Sequence, residues 1–185
     1  LVFDFLKKQK PKAGDHSWVE TAVRVAEEHD IQRELFVALI LNESSGNPFA
    51  TRWERRFYIR YISQRPLETL VPHHRSLDNY EEQLLRISLA YSWGLCQIMG
   101  VVAVEHGFRG QQMWELLDVE TNLKLGARIY AGYRDGIQKT QKGLPAGELV
   151  KKTLLRYNGG GDLEYPDRVF KRLGAATELV KKCRG

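Results

Sequence analysis

A chain of 185 residues, 43% hydrophobic and 28% charged, has the length of one compact domain and enough apolar content for a core without disulfide or metal staples. No apolar run approaches the roughly 20 residues of a membrane-crossing helix, so no integral membrane segment is expected. The formal net charge of +5 favours a polyanionic partner such as nucleic acid, an acidic cell wall or an anionic membrane surface.

The basic residues themselves are scattered. They cluster at Lys7-Lys8, at Lys10 and Lys12, at Arg52, Arg55, Arg56 and Arg60, and at Lys181-Lys182, with no nucleic-acid motif, so nucleic acid is not the expected partner. The chain opens Leu1-Val2-Phe3-Asp4-Phe5 without a methionine, which leaves open an upstream segment, including any signal peptide, so that export is neither read nor excluded. Residues 1–16 read as an N-terminal extension and 17–185 as the folded domain.

Ser17 followed by Glu20 reads as a capping box opening a helix through about His29, with Trp18, Ala22, Val25 and Ala26 inward. Asp30 interrupts it. The next helix, Gln32 to about Glu43, is apolar nearly all round from Leu35 to Leu41 and is expected to be the central element. From Trp53, the spacing of Phe57, Tyr58, Tyr61 and Ile62 predicts a helix that stops before Pro66. Asp78 caps another helix to about Ala90, ended by Ser92-Trp93-Gly94.

Two short helical stretches follow, Val101 to His106 and Gln112 to Leu117. Asp118 then caps a long helix with an inward stripe of Val119, Leu123, Gly126, Ile129, Tyr130 and Tyr133. The segment Gly136 to Gly147 reads as a loop and Glu148 to Tyr157 as a helix stopped by Asn158-Gly159-Gly160-Gly161. A last helix runs from Tyr165 or Pro166 to Lys182, with proline in the first turn. The fold class is mainly α with at most a minor β element. Cys96 reads as a buried hydrophobe and Cys183 as a free thiol or a partner for pairing, with no disulfide expected.

Three places carry candidate chemistry. Glu43 ends the apolar stripe Phe36, Leu39, Ile40 and stands just before the breaker Ser44-Ser45-Gly46-Asn47-Pro48. Partial burial and the negative end of the helix dipole both disfavour its charge, as a general acid for glycosidic cleavage requires. The plainer alternative is a surface glutamate that ends a helix. In Ser92 to Gly100, Gln97 is the strongly polar side chain among apolar neighbours, suited to sugar acetamido and hydroxyl groups, or else satisfying its own loop backbone. In Tyr157-Asn158-Gly159-Gly160-Gly161, a phenol able to hydrogen-bond Glu43 precedes backbone that bends closely round a ligand; the alternative is a flexible helix stop.

In order, Glu43-Ser44-Ser45-Gly46-Asn47-Pro48, Gly94-Leu95-Cys96-Gln97-Ile98-Met99 and Tyr157-Asn158-Gly159-Gly160 resemble the soluble lytic transglycosylase family of the lysozyme-like superfamily. The resemblance extends to Asn122 through Tyr130 and to Tyr165 with Val169, and covers roughly Trp18 to Leu173. It implies a single lysozyme-like helical domain with a cleft and an inserted lobe around residues 51–91. It also implies a monomer acting on peptidoglycan strands without metal or cofactor, in the periplasm or cell envelope or carried by a phage.

The implied reaction is cleavage of the β-1,4 bond between N-acetylmuramic acid and N-acetylglucosamine with a 1,6-anhydro product. Glu43 carries over as acid and then base and Ser44 as its orienting neighbour. Gln97 and Met99 carry over as cleft contacts, Tyr157 and Asn158 as groups near acid and sugar, and Tyr165 as a further substrate-binding residue. The chain departs from the family pattern at Cys96, Gly100 and Gly160, and in the length of Thr51 to Tyr91.

That long segment supplies Glu54, either a paired surface glutamate among arginines or the base of a goose-type hydrolytic muramidase, which needs carboxyls ~6.5–9.5 Å apart. Trp53, Phe57, Tyr58 and Tyr61 read as core, or as rings that stack on sugars. His73-His74 reads as a solvated pair rather than a metal site. Lytic transglycosylase is thus the leading reading, with hydrolytic muramidase and a catalytically idle wall-binding module as alternatives.

Overall fold

The structure is a computed structural model describing residues 16–71 and 81–183. Its helices are α1 (Trp18–Glu28), α2 (Arg33–Ser44), α3 (Arg55–Phe57), α4 (Leu67–Leu70), α5 (Glu82–Leu89), α6 (Gly100–Glu105), α7 (Val119–Thr140), α8 (Ala146–Tyr157), α9 (Tyr165–Lys171) and α10 (Leu173–Lys182). A π-helical turn, Tyr58–Ile62, and a 3-10 turn, Met113–Leu117, lie among them. Three short strands, β1 (Thr51–Trp53), β2 (Tyr91–Trp93) and β3 (Ile98–Met99), form one antiparallel sheet in the order β1-β2-β3. The mainly α class with a minor β element is what the chain adopts, and no described helix is long and apolar enough to cross a membrane. Among the described residues, 47–125 form one compact unit, the sheet unit, and 16–46 with 126–183 form another, the helical unit.

The helical unit is organised by α2. Leu35 through Ile40 are consecutively buried, so the helix has no solvent face along that run and must be covered on all sides. α1, α9 and α10 pack against it. Removing the buried side chain of Leu39 or Ile40 is expected to cost about 2–5 kcal/mol. Between α1 and α2 the chain reverses at Asp30, whose φ is +51°. Arg134 on α7 donates to the carbonyls of His29 and Asp30 at 3.0 and 2.8 Å, satisfying the end of α1.

Three expectations for this unit are corrected. Ser17 makes no side-chain cap bond, because its backbone is already helical (φ −55°, ψ −25°) instead of the extended conformation a capping hydroxyl needs. The loop expected from Gly136 begins later: α7 runs on to Thr140, since one glycine weakens an established helix by only about 1 kcal/mol. The single last helix is two, α9 and α10. The break falls at Arg172, whose N–H reaches back only to the Val169 carbonyl at 2.9 Å.

In the sheet unit, the helix expected from Trp53 starts two residues later. Thr51, Arg52 and Trp53 pair with Trp93, Ser92 and Tyr91, which commits this backbone to a strand before α3 can begin. Likewise Ser92-Trp93-Gly94 does more than end a helix: it enters a hairpin whose second arm pairs Ser92 with Met99 and Trp93 with Ile98. The pairing of β1 with β2 brings the two ends of the 51–91 insertion side by side. Within it, Arg86 on α5 donates to the carbonyls of Ile62 and Arg65 at 3.0 and 2.6 Å, closing the open end of the π turn. Asp78 and His73-His74 lie outside the described residues.

Candidate active site

Glu43 sits in the last turn of α2, half-buried, one residue before the helix ends. The termination is built from three contributions. Ser44 turns its hydroxyl back to donate to the Ile40 carbonyl at 3.2 Å. Ser45 takes the left-handed conformation (φ +54°) and returns its N–H to the Leu41 carbonyl at 3.2 Å. Gly46 continues at φ +79° against the Trp18 ring, where an added Cβ would lie 2.9 Å from the indole. Ser44, Ser45 and Gly46 thus end the helix directly after Glu43.

A hydrogen bond to the Glu43 carboxyl comes from Tyr165, whose hydroxyl donates to Oε1. Tyr165 is the first residue of α9 and only 2% exposed, so the phenol approaches from within the protein. The segment leading to it is tied down. Asp162 accepts from the Glu164 N–H at 3.1 Å and from the Arg168 guanidinium, and Arg168 also lies 5.8 Å from the centre of the Tyr165 ring. The bond from Arg168 holds the Asp162 carboxyl below its ordinary value, and Asp162 in turn raises Arg168.

Tyr157 closes α8 with its ring 6.4 Å from that of Tyr130. Burial pushes the Tyr130 phenol up to about 12, partly offset by Arg134. Asn158, the residue after α8, is exposed, and Gly159 and Gly160 follow at φ +82° and +79°. The sequence offered Tyr157 as a hydrogen-bond partner of Glu43 and Tyr165 as a substrate-binding residue; Tyr165 is the residue whose hydroxyl donates to Oε1.

The sheet unit holds Gln97 and Met99. Gln97 occupies the β2–β3 turn at φ +46°, and its Nε2 donates to the carbonyls of Ala50 (3.0 Å) and Gly94 (2.9 Å). The backbone-satisfying alternative therefore describes its nitrogen, and these two bonds fix which way its Oε1 acceptor faces. Met99 is half-buried on β3.

The same turn rests on Asn122 of α7, only 1% exposed. Asn122 donates to the carbonyls of Trp93 (2.9 Å) and Leu116 (2.7 Å) and accepts from the Cys96 N–H at 2.8 Å. A Cβ on Gly94, itself at φ +69°, would come 2.5 Å from the Asn122 amide. The sequence assigned Asn122 only to the long helix. Its place one turn before Gly126 on the inward stripe was the available sign that this amide is buried and must be bonded.

Glu54 follows β1 and accepts hydrogen bonds from Arg52 and, at 3.3 Å, from the Ser92 hydroxyl. Its side chain is 25% exposed and, as the alternative to a base role had it, is paired with an arginine. Among the described residues no group of three or more His, Cys, Asp or Glu side chains is arranged to hold a metal ion. Cys96 is a buried thiol and Cys183 an exposed one.

The family model described as Transglycosylase SLT domain matches residues 21–163, well over half the chain, and the protein belongs to that family. Its substrate class is accordingly peptidoglycan, and its place of action the cell envelope. Compared with curated proteins and with solved structures, the chain has no match.

Proposed function

We propose that the protein is a lytic transglycosylase that cleaves the β-1,4 bond between N-acetylmuramic acid and N-acetylglucosamine and leaves 1,6-anhydro ends. The observation that carries this reading is the hydrogen bond from buried Tyr165 to Glu43 at the end of the helix whose run Leu35 to Ile40 is buried. Glu43 gives its proton to the bridging oxygen as the C1–O bond breaks, while the muramyl N-acetyl oxygen bonds to C1 and forms an oxazolinium ion. The Glu43 carboxylate then takes the proton of the C6 hydroxyl. O6 bonds to C1, the oxazolinium opens, and the carboxyl is restored. Tyr165 keeps the carboxyl oriented through both steps.

Ser44 supports this geometry through the helix end, and Gln97, Met99, Tyr157 and Asn158 serve as sugar contacts, with the Gln97 Oε1 as an acceptor. Residues 17–185 act as the lytic domain. Transglycosylation is favoured over hydrolysis because Glu54, the carboxylate a goose-type muramidase would use to activate water, is already engaged by Arg52 and Ser92.

Digestion of purified peptidoglycan followed by mass spectrometry tests the assignment. The expected fragments are lighter by one water than hydrolysed ones. Hydrolysed ends would transfer the reaction to a muramidase employing Glu54, and binding without any release would make the protein a wall-binding module.

A further inference from the structure

Several rings that the sequence read as core or as sugar-stacking are not enclosed. Trp53 and Tyr61 are 36% and 39% exposed, and Tyr58 and Tyr91 are half-buried. Strand register sets Trp53 directly opposite Tyr91, hence on the same face of the sheet, with ring centres 5.2 Å apart. Tyr58 also stands 5.1 Å from Trp53, and Tyr61 stands 4.9 Å from Phe57 one turn back. Isolated exposed aromatics are ordinary, but several on one short segment joined to a concentration of one charge mark an interaction surface.

The charge here is positive. Between Thr51 and Arg65 the sequence places Arg52, Arg55, Arg56, Arg60 and Arg65 against one acid, Glu54, which Arg52 already engages. Arg55, Arg56 and Arg60 are exposed, and the Arg60 guanidinium lies 5.3 Å from the centre of the Tyr61 ring.

From this face we infer a saccharide-gripping surface on the sheet unit, made by Trp53, Tyr58, Tyr61 and Tyr91 with Arg56 and Arg60, that takes a carboxylate-bearing peptidoglycan strand. The inference rests on the proposed function for its choice of glycan. Two physical features point to that ligand. The C–H faces of pyranose rings pack on open aromatic faces, and the lactyl and peptide carboxylates carried by alternate sugars match the arginines. The rings are tilted 40° and 46° to each other and in mutual contact, which leaves no slot for a nucleobase to enter between them.

The test uses the full chain carrying Glu43→Gln, so that the ligand stays intact, and measures co-sedimentation with insoluble purified peptidoglycan. Trp53→Ala with Tyr61→Ala is expected to weaken retention about tenfold. Arg56→Gln with Arg60→Gln is expected to weaken it and to flatten its dependence on salt. Trp114→Ala, which removes an exposed aromatic elsewhere in the unit, is expected to leave retention unchanged. Should the double alanine variant melt early, Tyr61→Ala alone decides the matter.

Unchanged retention in the aromatic variants overturns the inference. So does a loss confined to binding of a single-stranded oligonucleotide measured in parallel. Failure to release anhydro fragments from the unmodified protein would instead count against the proposed function, and the two failures are separately visible.

Discussion

Glu43 in the helical unit and the amides Gln97 and Asn122 in the sheet unit are held in opposite ways. In the helical unit Glu43 is met by a side chain from far along the chain, the Tyr165 hydroxyl, 122 positions away. In the sheet unit, Gln97 donates to two backbone carbonyls, and Asn122 bonds two carbonyls and one N–H. Side chains bonded to backbone hold a shape, whereas the Glu43 carboxyl and the Tyr165 phenol bond each other and not the backbone in this contact. Substitution of Glu43 or Tyr165 is therefore expected to remove activity before stability, and substitution of Asn122 to do the reverse.

The largest expected effect is on Glu43. Glu43→Gln is expected to lower the rate of peptidoglycan lysis by roughly 10²–10⁴-fold, the contribution of a positioned acid, with the melting curve retained. On the other side of the comparison, Asn122→Ala leaves three backbone groups without their partner. It is expected to destabilise by about 3 kcal/mol or more in urea denaturation, with activity falling only as the folded fraction falls. Tyr165→Phe sharpens the contrast, because the ring stays and only the hydroxyl goes. It should reduce kcat about tenfold, the equivalent of one charge-assisted hydrogen bond, with little change in melting. A Tyr165→Phe protein that loses stability but keeps its rate would break the distinction between the units.

The smallest effect concerns the approach to Tyr165. Arg168 lowers the Asp162 carboxyl in the folded state, so this pair contributes stability above the ordinary carboxylate range and loses it as pH falls through the depressed folded value. Asp162→Asn is expected to make the acid side of the stability profile shallower, read as melting temperature against pH below pH ~4.

The spine of the fold was legible because Leu35 to Ile40 offer no polar face and admit few arrangements. The glycine stop after Tyr157 was legible because Gly159 and Gly160 take the positive φ that other residues resist. Short strands were not: Thr51-Arg52-Trp53 is too brief to show an alternation, and it becomes a strand only because Tyr91 to Trp93 comes alongside. Ser17 has the right residue type for a cap but the wrong backbone, which spacing does not reveal. At the site, Glu43 was marked by its own position on an apolar stripe. Its bond from Tyr165 depends on how α9 packs on α2, and Tyr165 falls just beyond the matched residues 21–163. Asn122 went unremarked because an amide on a helix stripe declares its burial but not its partners.

The adjacency of β1 and β2 has a consequence for how this chain can vary. Because the excursion departs from Trp53 and rejoins at Tyr91, residues that face each other across one ladder, its two exits share a doorway. Whatever is threaded through that doorway can lengthen, shorten or be exchanged while the ladder itself keeps its register. The closing entropy grows by only about 0.6 kcal/mol for each doubling of length. The segment thus has the geometry of an interchangeable attachment on an otherwise fixed scaffold.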